Sequence, residues 1–414
     1  VSATAAAPRE PDRLPEAARK RGLLVLLATT FFAWGGFFLV VPLIAVHYVD
    51  GLGWAAASIG LVLAVRQFMQ QGLTTLSGAL ADKLGAKGLI AAGMAIRAVG
   101  FAALAWATTF PLLMAAVVLA AIGGALFDAP KSAAIAALTT EEERPRYFAI
   151  MGVVIGLGIT LGTQLGALLL RVDFGLVALV SGACYGLIFL LVLLGLPPVR
   201  VAQGEGGFWH GFGLALRDRP FVTFVALMAG HWFMSTQFFL TMPLATVALS
   251  GTTETVALVT GLNALVTVVL GYPLPRAAGR LIGVRGSLVA GVALTAVGLL
   301  GVGFAPAVPA LLAGVFLFSV GTTLVRPNEQ TVAARLANPA ALGSYFGVAA
   351  LSIAFGGGLG NVAGGYLYDL GRSLRHPELP WIACALVGFA AAAGLWLTMQ
   401  PAATLTPTGA REAG

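Results

Sequence analysis

The chain has 414 residues, of which 58% are hydrophobic and 10% charged, against roughly 25% charged in ordinary soluble proteins. Such a composition excludes a water-soluble domain and points to helices embedded in lipid. The net charge of +7 is spread over the ends of apolar stretches instead of gathering in one basic patch, so no nucleic-acid partner is expected.

Residues 1–21, rich in Ala, Pro and Arg, are expected to form a mobile cytoplasmic tail. Twelve apolar stretches follow, at roughly 22–47, 55–80, 88–108, 110–137, 147–170, 174–196, 220–247, 255–278, 286–305, 308–336, 343–370 and 380–400. Lipid offers no hydrogen-bond partner, so each stretch predicts a helix with its backbone satisfied internally. A barrel would need alternating polar residues, which these stretches lack. The first stretch is too long for a signal-peptide core, and no cleavage is expected. It carries Phe31, Phe32, Trp34, Phe37 and Phe38, with Pro42 expected to kink it.

The second stretch carries a polar stripe at helical spacing: Arg66, Gln67, Gln70, Gln71, Thr74 and Ser77. Polar side chains at this depth must face protein or water. Arg66 and Gln70 are therefore candidates to touch a substrate or gate water, hydrogen bonding between helices being the other reading. The loop that follows reads Gly78-Ala79-Leu80-Ala81-Asp82-Lys83-Leu84-Gly85-Ala86-Lys87. Gly85 permits a tight turn, and Lys83 and Lys87 suit an anionic inner leaflet.

Arg97, Asp128 and Lys131 lie within the third and fourth stretches. Arg97 and Asp128 are each about nine residues from the same membrane side, roughly 13 Å deep, and are expected to pair. Asp128 then has two readings, a structural ion pair with Arg97 or a proton carrier that takes a proton once its partner moves away. Gly158, Gly162 and Gly166 put a small-residue stripe on the fifth helix. Cys184 and Cys384, in the sixth and twelfth stretches, read as small hydrophobes.

A linker, 197–219, opens on Pro197-Pro198 and carries Phe208, Trp209, Phe212 and Leu216, enough for a short interfacial helix. The seventh stretch holds a second aromatic cluster, Trp232, Phe233, Phe238 and Phe239, together with His231 and Gln237. Trp34, Phe38, His231, Trp232, Gln237 and Phe239 join Arg66 and Gln70 as candidates for substrate or gating contacts, with packing as the alternative for each. On the tenth stretch Arg326 stands one turn before Glu329, and a local ion pair is expected there. Glu329 is the second candidate proton carrier. Residues 401–414 read as a cytoplasmic tail.

The order of features repeats. A shift of 198 carries Gly85 onto Gly283, Gly93 onto Gly291, Gly123 onto Gly321, Tyr147-Phe148 onto Tyr345-Phe346, Gly162 onto Gly360 and Gly166 onto Gly364. A shift of 201 matches Phe37-Phe38-Leu39-Val40-Val41-Pro42-Leu43 to Phe238-Phe239-Leu240-Thr241-Met242-Pro243-Leu244. A three-residue slip is therefore expected inside the second stretch of each half, and similar proline hinges in the first and seventh. Two six-helix bundles, 22–196 and 220–400, related by an axis along the membrane normal, are the expected all-α architecture. With the amino terminus inside, seventeen Lys and Arg fall on the cytoplasmic side against three, Arg171, Arg372 and Arg375, outside. No phosphate loop, metal-ligand spacing or nucleophile elbow occurs, so neither an enzyme, nor a cofactor, nor a metal is expected.

The 78–87 loop resembles the signature loop of the major facilitator superfamily. The resemblance implies that Gly78, Asp82, Lys83, Gly85 and Lys87 form a conformational latch between the halves, although Ala86 stands where a basic residue is common. The stretches 64–72, 94–101, 123–132 and 366–371, with 377–381, are similar to those of the MdtH-type multidrug exporters of the drug:proton antiporter branch. That similarity implies a monomeric exporter of small amphipathic compounds in exchange for protons across the bacterial inner membrane. Leu119 and Ala120 stand where many antiporters carry an arginine, and Gly162-Thr163-Gln164-Leu165-Gly166 replaces Gly-Pro-x-x-Gly. A nutrient uniporter or importer on the same fold, or a transport-inactive sensor or assembly factor, are the alternatives.

Overall fold

The computed structural model describes residues 15–139, 143–198, 208–338 and 341–399, and the described residues are helical with no strand. Each apolar stretch has become a rod, as the lack of backbone partners in lipid requires. In the first half these are Glu16–Ala45 with a π-helical turn Val46–Gly51, Ala56–Leu84, Ala86–Ala103, Phe110–Leu138, Arg144–Leu170 and Phe174–Gly195. A short helix, Phe208–Arg217, stands in the linker. The seventh rod runs Arg219–Ser235, turns through Thr236–Phe239 and continues as Thr241–Ser250. The eighth is Glu254–Leu270, prolonged from Pro273 to a break at Gly283, where the ninth begins and runs to Gly303. Val308–Leu336 is the tenth, Leu342–Leu351 leads through Ser352–Gly356 into Gly357–Leu374 as the eleventh, and Leu379–Thr398 is the twelfth.

Among the described residues nine helices are each long and apolar enough to cross a membrane, and the bent seventh makes a tenth. The remaining two rods are the second, which carries the polar stripe, and the eighth, whose 17-residue apolar run ends at Leu270. Buried apolar residues gather in two clusters, one drawn mainly from residues 25–196 and one mainly from 215–395.

The glycine stripes hold each half together. A Cβ on Gly158, Gly162 or Gly166 would meet the carbonyl oxygens of Phe31, Gly35 and Leu39 at 2.7, 2.3 and 2.3 Å, so the fifth rod lies directly on the backbone of the first. In the second half Gly356 and Gly360 face the carbonyls of Ala229 and Phe233, while Gly364 faces the Gln237 side chain. Every partner is displaced by 198, and so are the approaches of Gly93 to Gly123 and of Gly291 to Gly321. Without a hydrophobic drive between helices in lipid, such close approach supplies the dispersion contacts that hold rods together. Tyr147 and Tyr345, also mates, tie the starts of the fifth and eleventh rods back to Leu23 O and Asp218 Oδ2.

Three expectations need correction. The shift of 201 does not describe the packing: 31, 35 and 39 superpose on 229, 233 and 237, and Gly53 and Gly251, both at φ 72°, are again 198 apart. No slip falls in the second rod, because the apparent match of Phe-Phe-Leu runs is a similarity of composition between two aromatic helices. Pro42 and Pro243 consequently are not equivalent. Pro42 sits inside an unbroken helix, whereas Pro243 lies in the first turn of Thr241–Ser250, beyond a 40° bend at Leu240; a proline in a first turn removes no helical hydrogen bond. The first helix also begins at Glu16, inside the stretch expected as tail, with Arg19 paired to Glu143 and Lys20 to Glu16. The tail expectations for 1–14 and 401–414 and residues 199–207 of the linker lie outside the described residues.

Gly162→Ala should therefore lower the thermal stability of the purified protein, by about 1–3 kcal/mol as an overpacked contact. Gly186→Ala, whose Cβ would meet nothing within 4 Å, is the control. Equal melting curves for the two variants would show that the stripe does not carry the packing.

Candidate substrate cavity

A cavity of about 200 Å³ opens between the two halves. Trp34 and Phe37 reach it from the first rod, Arg66, Gln67, Gln70 and Gln71 from the second, Arg97 from the third and Phe127 from the fourth. The second half contributes Trp232, Ser235, Thr236 and Phe239 from the seventh rod, Arg326 from the tenth, and Ile353 and Asn361 from the eleventh. Trp34 and Trp232 are 198 apart and face the space from opposite halves.

The polar stripe of the second rod divides by depth. Arg66 donates from one terminal nitrogen to Gln70 Oε1 and from the other to Gln67 Oε1, each at 3.1 Å, and its guanidinium lies 5.3 Å from the centre of the Phe37 ring. Its buried Nε has no hydrogen-bond partner. Thr74 and Ser77 instead donate to carbonyls of their own helix, Gln70 O and Thr74 O. The glutamines thus aim an arginine into the cavity.

Arg97 is buried and stands over three rings, Tyr185 at 4.9 Å, Phe101 at 5.6 Å and Phe37 at 5.7 Å. Its expected partner Asp128 has a side chain outside the described residues, as do Gly78, Asp82 and Lys83 of the loop. Gly85 does make the turn, with φ 81°, at the start of the third rod, and Lys87 is half-buried beside it.

On the tenth rod the expected local pair does not form: among the described residues no ion pair within 4 Å joins Arg326 and Glu329. Glu329 Oε1 accepts from the Trp232 indole N–H at 3.1 Å, and the Arg326 guanidinium stands 5.6 Å over the same ring. One indole therefore separates the two charges, taking the carboxylate at its edge and the cation at its face.

Five of the sequence candidates, Arg66, Gln70, Trp34, Trp232 and Phe239, come together around the cavity. Three do not. Phe38 is buried behind it, stacked on Trp34 and packed on Phe239. His231 is 1% exposed, its Nε2 at 3.1 Å from Ser235 Oγ, so it stands one layer behind a lining residue. Gln237 is fully buried and joins Phe233 O, Gly360 O and Thr241 Oγ1, which makes it glue between the seventh and eleventh rods. A one-residue step on a helix turns a side chain by roughly 100°, and isolated polar residues carry no periodicity to say which way they face. Asn361 was not expected, although an asparagine between Gly360 and Gly364 on an apolar rod is such a signal; it is buried with its Oδ1 unpartnered.

The end of the cavity away from the linker helix is closed by contacts between the halves. The Ala56 and Ala57 N–H groups, opening the second rod, donate to the two carboxylate oxygens of Asp369 at 3.0 and 2.8 Å. Arg171, ending the fifth rod, pairs with Glu254 at the opening of the eighth, 2.8 Å apart. These two latches are mates: Arg171 and Asp369 are 198 apart, and so are Ala56 and Glu254. Gly60 approaches Asn361 O, Gly365 approaches Ala56 O, and Gln164 donates to Ala257 O.

The chain matches the family described as Major Facilitator Superfamily over residues 26–280 and 227–414. The multidrug resistance protein MdtH of Photorhabdus laumondii subsp. laumondii is 37% identical over 371 residues, covering 90% of this chain and 92% of the relative. That of Cronobacter sakazakii is 36% identical over 379 residues, covering 92% and 94%. Among solved structures, a bacterial homolog of the human lysosomal transporter Spinster superposes with TM-score 0.76 at 15% identity, covering 93% of this chain and 98% of that one. The nucleoside transporter NupG does so with TM-score 0.76 at 15% identity, covering 92% and 99%.

Removing the Asp369 carboxylate should open the latched end. A cysteine placed at Thr236, which lines the cavity and is 6% exposed, should react with a membrane-impermeant thiol reagent added on that side about tenfold faster or more in an Asp369→Ala background, two charge-assisted hydrogen bonds being lost. An unchanged rate would mean that Asp369 does not help close this end.

Proposed function

Because the chain belongs to the major facilitator superfamily, we propose that it is a secondary active transporter that exports small amphipathic compounds in exchange for protons by rocking its two halves about the central cavity. The observation that carries the reading is a cavity lined from both halves and shut at one end by contacts between them. Such a site can meet one compartment at a time without nucleotide. The multidrug resistance proteins to which the chain is similar along 90% of its length support small amphipathic compounds as cargo.

The linker end faces the cytoplasm in this reading, with both termini there, because the sequence assigns seventeen Lys and Arg to that side of the twelve stretches against three to the other. The latched end then faces outward and the cavity is loaded from the inside. The two halves, 22–196 and 220–400, act as the moving bodies of a single monomer in the inner membrane. The 78–87 loop, through Gly78, Asp82, Lys83, Gly85 and Lys87, latches the opposite, inner end when the outer latches part.

Asp128 and Glu329 carry the protons. Each stands in the middle of a rod next to basic residues of its own helix, and Glu329 hangs on the indole of a cavity residue, so cargo moving Trp232 changes the surroundings of the acid. Arg66, Gln70, Trp34, Trp232 and Phe239 hold the cargo. In the wall around it rings outnumber charged groups, which suits a site that must accept more than one molecule.

In proteoliposomes, an imposed pH gradient should drive uphill movement of substrate, with direction reversing when the gradient is reversed. The Asp128→Asn, Glu329→Gln double variant should lose gradient-driven movement while keeping substrate exchange at equal concentrations within about threefold, because proton carriage and cargo binding are separate contributions. Gradient-driven transport surviving in the double variant would remove both carboxyls as carriers. Facilitated flux that ignores the gradient in the unaltered protein would identify a uniporter instead.

A further inference from the structure

The charges inside the rods do not balance. Four cations, Arg66, Arg97, Lys131 and Arg326, stand against two acids, Asp128 and Glu329. With both acids ionised, two positive charges remain in excess. Three of the four cations, Arg66, Arg97 and Arg326, line the same cavity.

Two of the three are placed to meet a ligand. Arg66 is held by the neutral amide oxygens of Gln67 and Gln70, with no carboxylate within 4 Å among the described residues and with its buried Nε unpartnered. Arg326 is kept from Glu329 by the Trp232 indole and stands exposed to the cavity from the opposite half. Arg66 belongs to the second rod and Arg326 to the tenth, so cations reach the cavity from both halves. The walls around them are aromatic, Trp34 and Phe37 on one side and Trp232 and Phe239 on the other. An excess of cation within the depth of the bilayer is costly unless a counter-charge is supplied, and a guanidinium fork fits a planar carboxylate or a sulfonate.

We propose that the cavity selects amphipathic organic anions, an aromatic body carrying one carboxylate or sulfonate, with Arg66 and Arg326 taking the anionic group and the tryptophans the ring. The proposal rests on the reading of this cavity as the cargo site. It names a charge class for that cargo, one that a promiscuous apolar pocket would not prefer. A hydrated inorganic anion such as chloride would satisfy the charge but not the rings.

The test measures equilibrium binding to the full chain in phospholipid nanodiscs, without any gradient, using radiolabelled 2-naphthoate, its neutral isostere 2-naphthamide, and tetraphenylphosphonium. The acid should bind about tenfold tighter or more than the amide, the increment of a charged hydrogen bond. Arg66→Gln and Arg326→Gln should each weaken the acid by about tenfold and leave the amide within about twofold, while Arg66→Lys and Arg326→Lys keep part of the preference for the acid. Equal or tighter binding of the amide or of the phosphonium overturns the proposal, and this comparison needs no variant. So does displacement of naphthoate by chloride at physiological concentration, which would identify an inorganic-anion site, and so does an equal loss of acid and amide in the glutamine variants. Failure of gradient-driven transport alongside an intact, arginine-dependent preference for the acid would sink the efflux reading alone. Transport of cations with no preference for the acid would sink this inference alone.

Discussion

Backbone-to-backbone packing through matched glycine stripes is the constraint on which the rest of the molecule depends. In water, apolar faces drive helices together; in lipid they gain nothing by it, and association rests on how closely the rods approach. Gly158, Gly162 and Gly166 put the fifth rod against carbonyls of the first, and Gly356, Gly360 and Gly364 put the eleventh against the seventh. Those four rods also border the cavity or the seams between the halves. Fixing them within each half concentrates any relative motion at the seams, where Gln164, Arg171, Asp369 and Asn361 make the contacts.

The two outer latches occupy equivalent places but are not equally strong. Arg171 and Glu254 are both substantially exposed, at 60% and 45%, and an exposed ion pair contributes about 0–1 kcal/mol. Asp369 instead receives two backbone N–H groups at the start of a helix, where an anion gains from unsatisfied donors and from the helix dipole together. Closure therefore leans on the seam between the second and eleventh rods. The repeat has kept the positions and changed the chemistry: where the second half offers a glutamate side chain, the first offers the bare helix end.

Much of this architecture was legible in the residues. Long apolar runs, the 198-residue shift and the glycine spacing are periodic signals, and periodic signals survive because many residues report the same face. The polar stripe of the second rod was legible for the same reason, down to Arg66 and Gln70. What failed were arguments from single residues. His231 and Gln237 looked like Arg66 in composition but point into packing, and Phe38 stands one step around the helix from Phe37, which lines the cavity. The match of Pro42 to Pro243 failed differently: two aromatic helices offered a local likeness that outweighed the register, and the partners of the glycines, invisible in sequence, decided it. Asp369 as a helix cap was hidden because its partners are backbone groups 313 and 312 residues away.

The register that the packing establishes also shows where the halves have diverged. Trp34 and Trp232 are kept as mates, but Arg66, Gln70 and Arg97 correspond to Ala264, Val268 and Thr295. Glycines that set helix contacts are retained and polar groups that face the cavity are not, so the scaffold is shared and the chemistry is divided. The tenth and fourth rods give the sharpest case. Asp128 corresponds to Arg326 and Lys131 to Glu329, so an acid followed by a base in one half is a base followed by an acid in the other. The order of charge along the rod is thus inverted between the halves, a change of chemistry at matched positions. The first half brings two cations to the cavity, Arg66 and Arg97, both with uncharged counterparts, and the second half brings one, Arg326. A two-fold scaffold thereby holds a cavity with a defined orientation, which a cargo with one charged end requires and a strictly symmetric site would not provide.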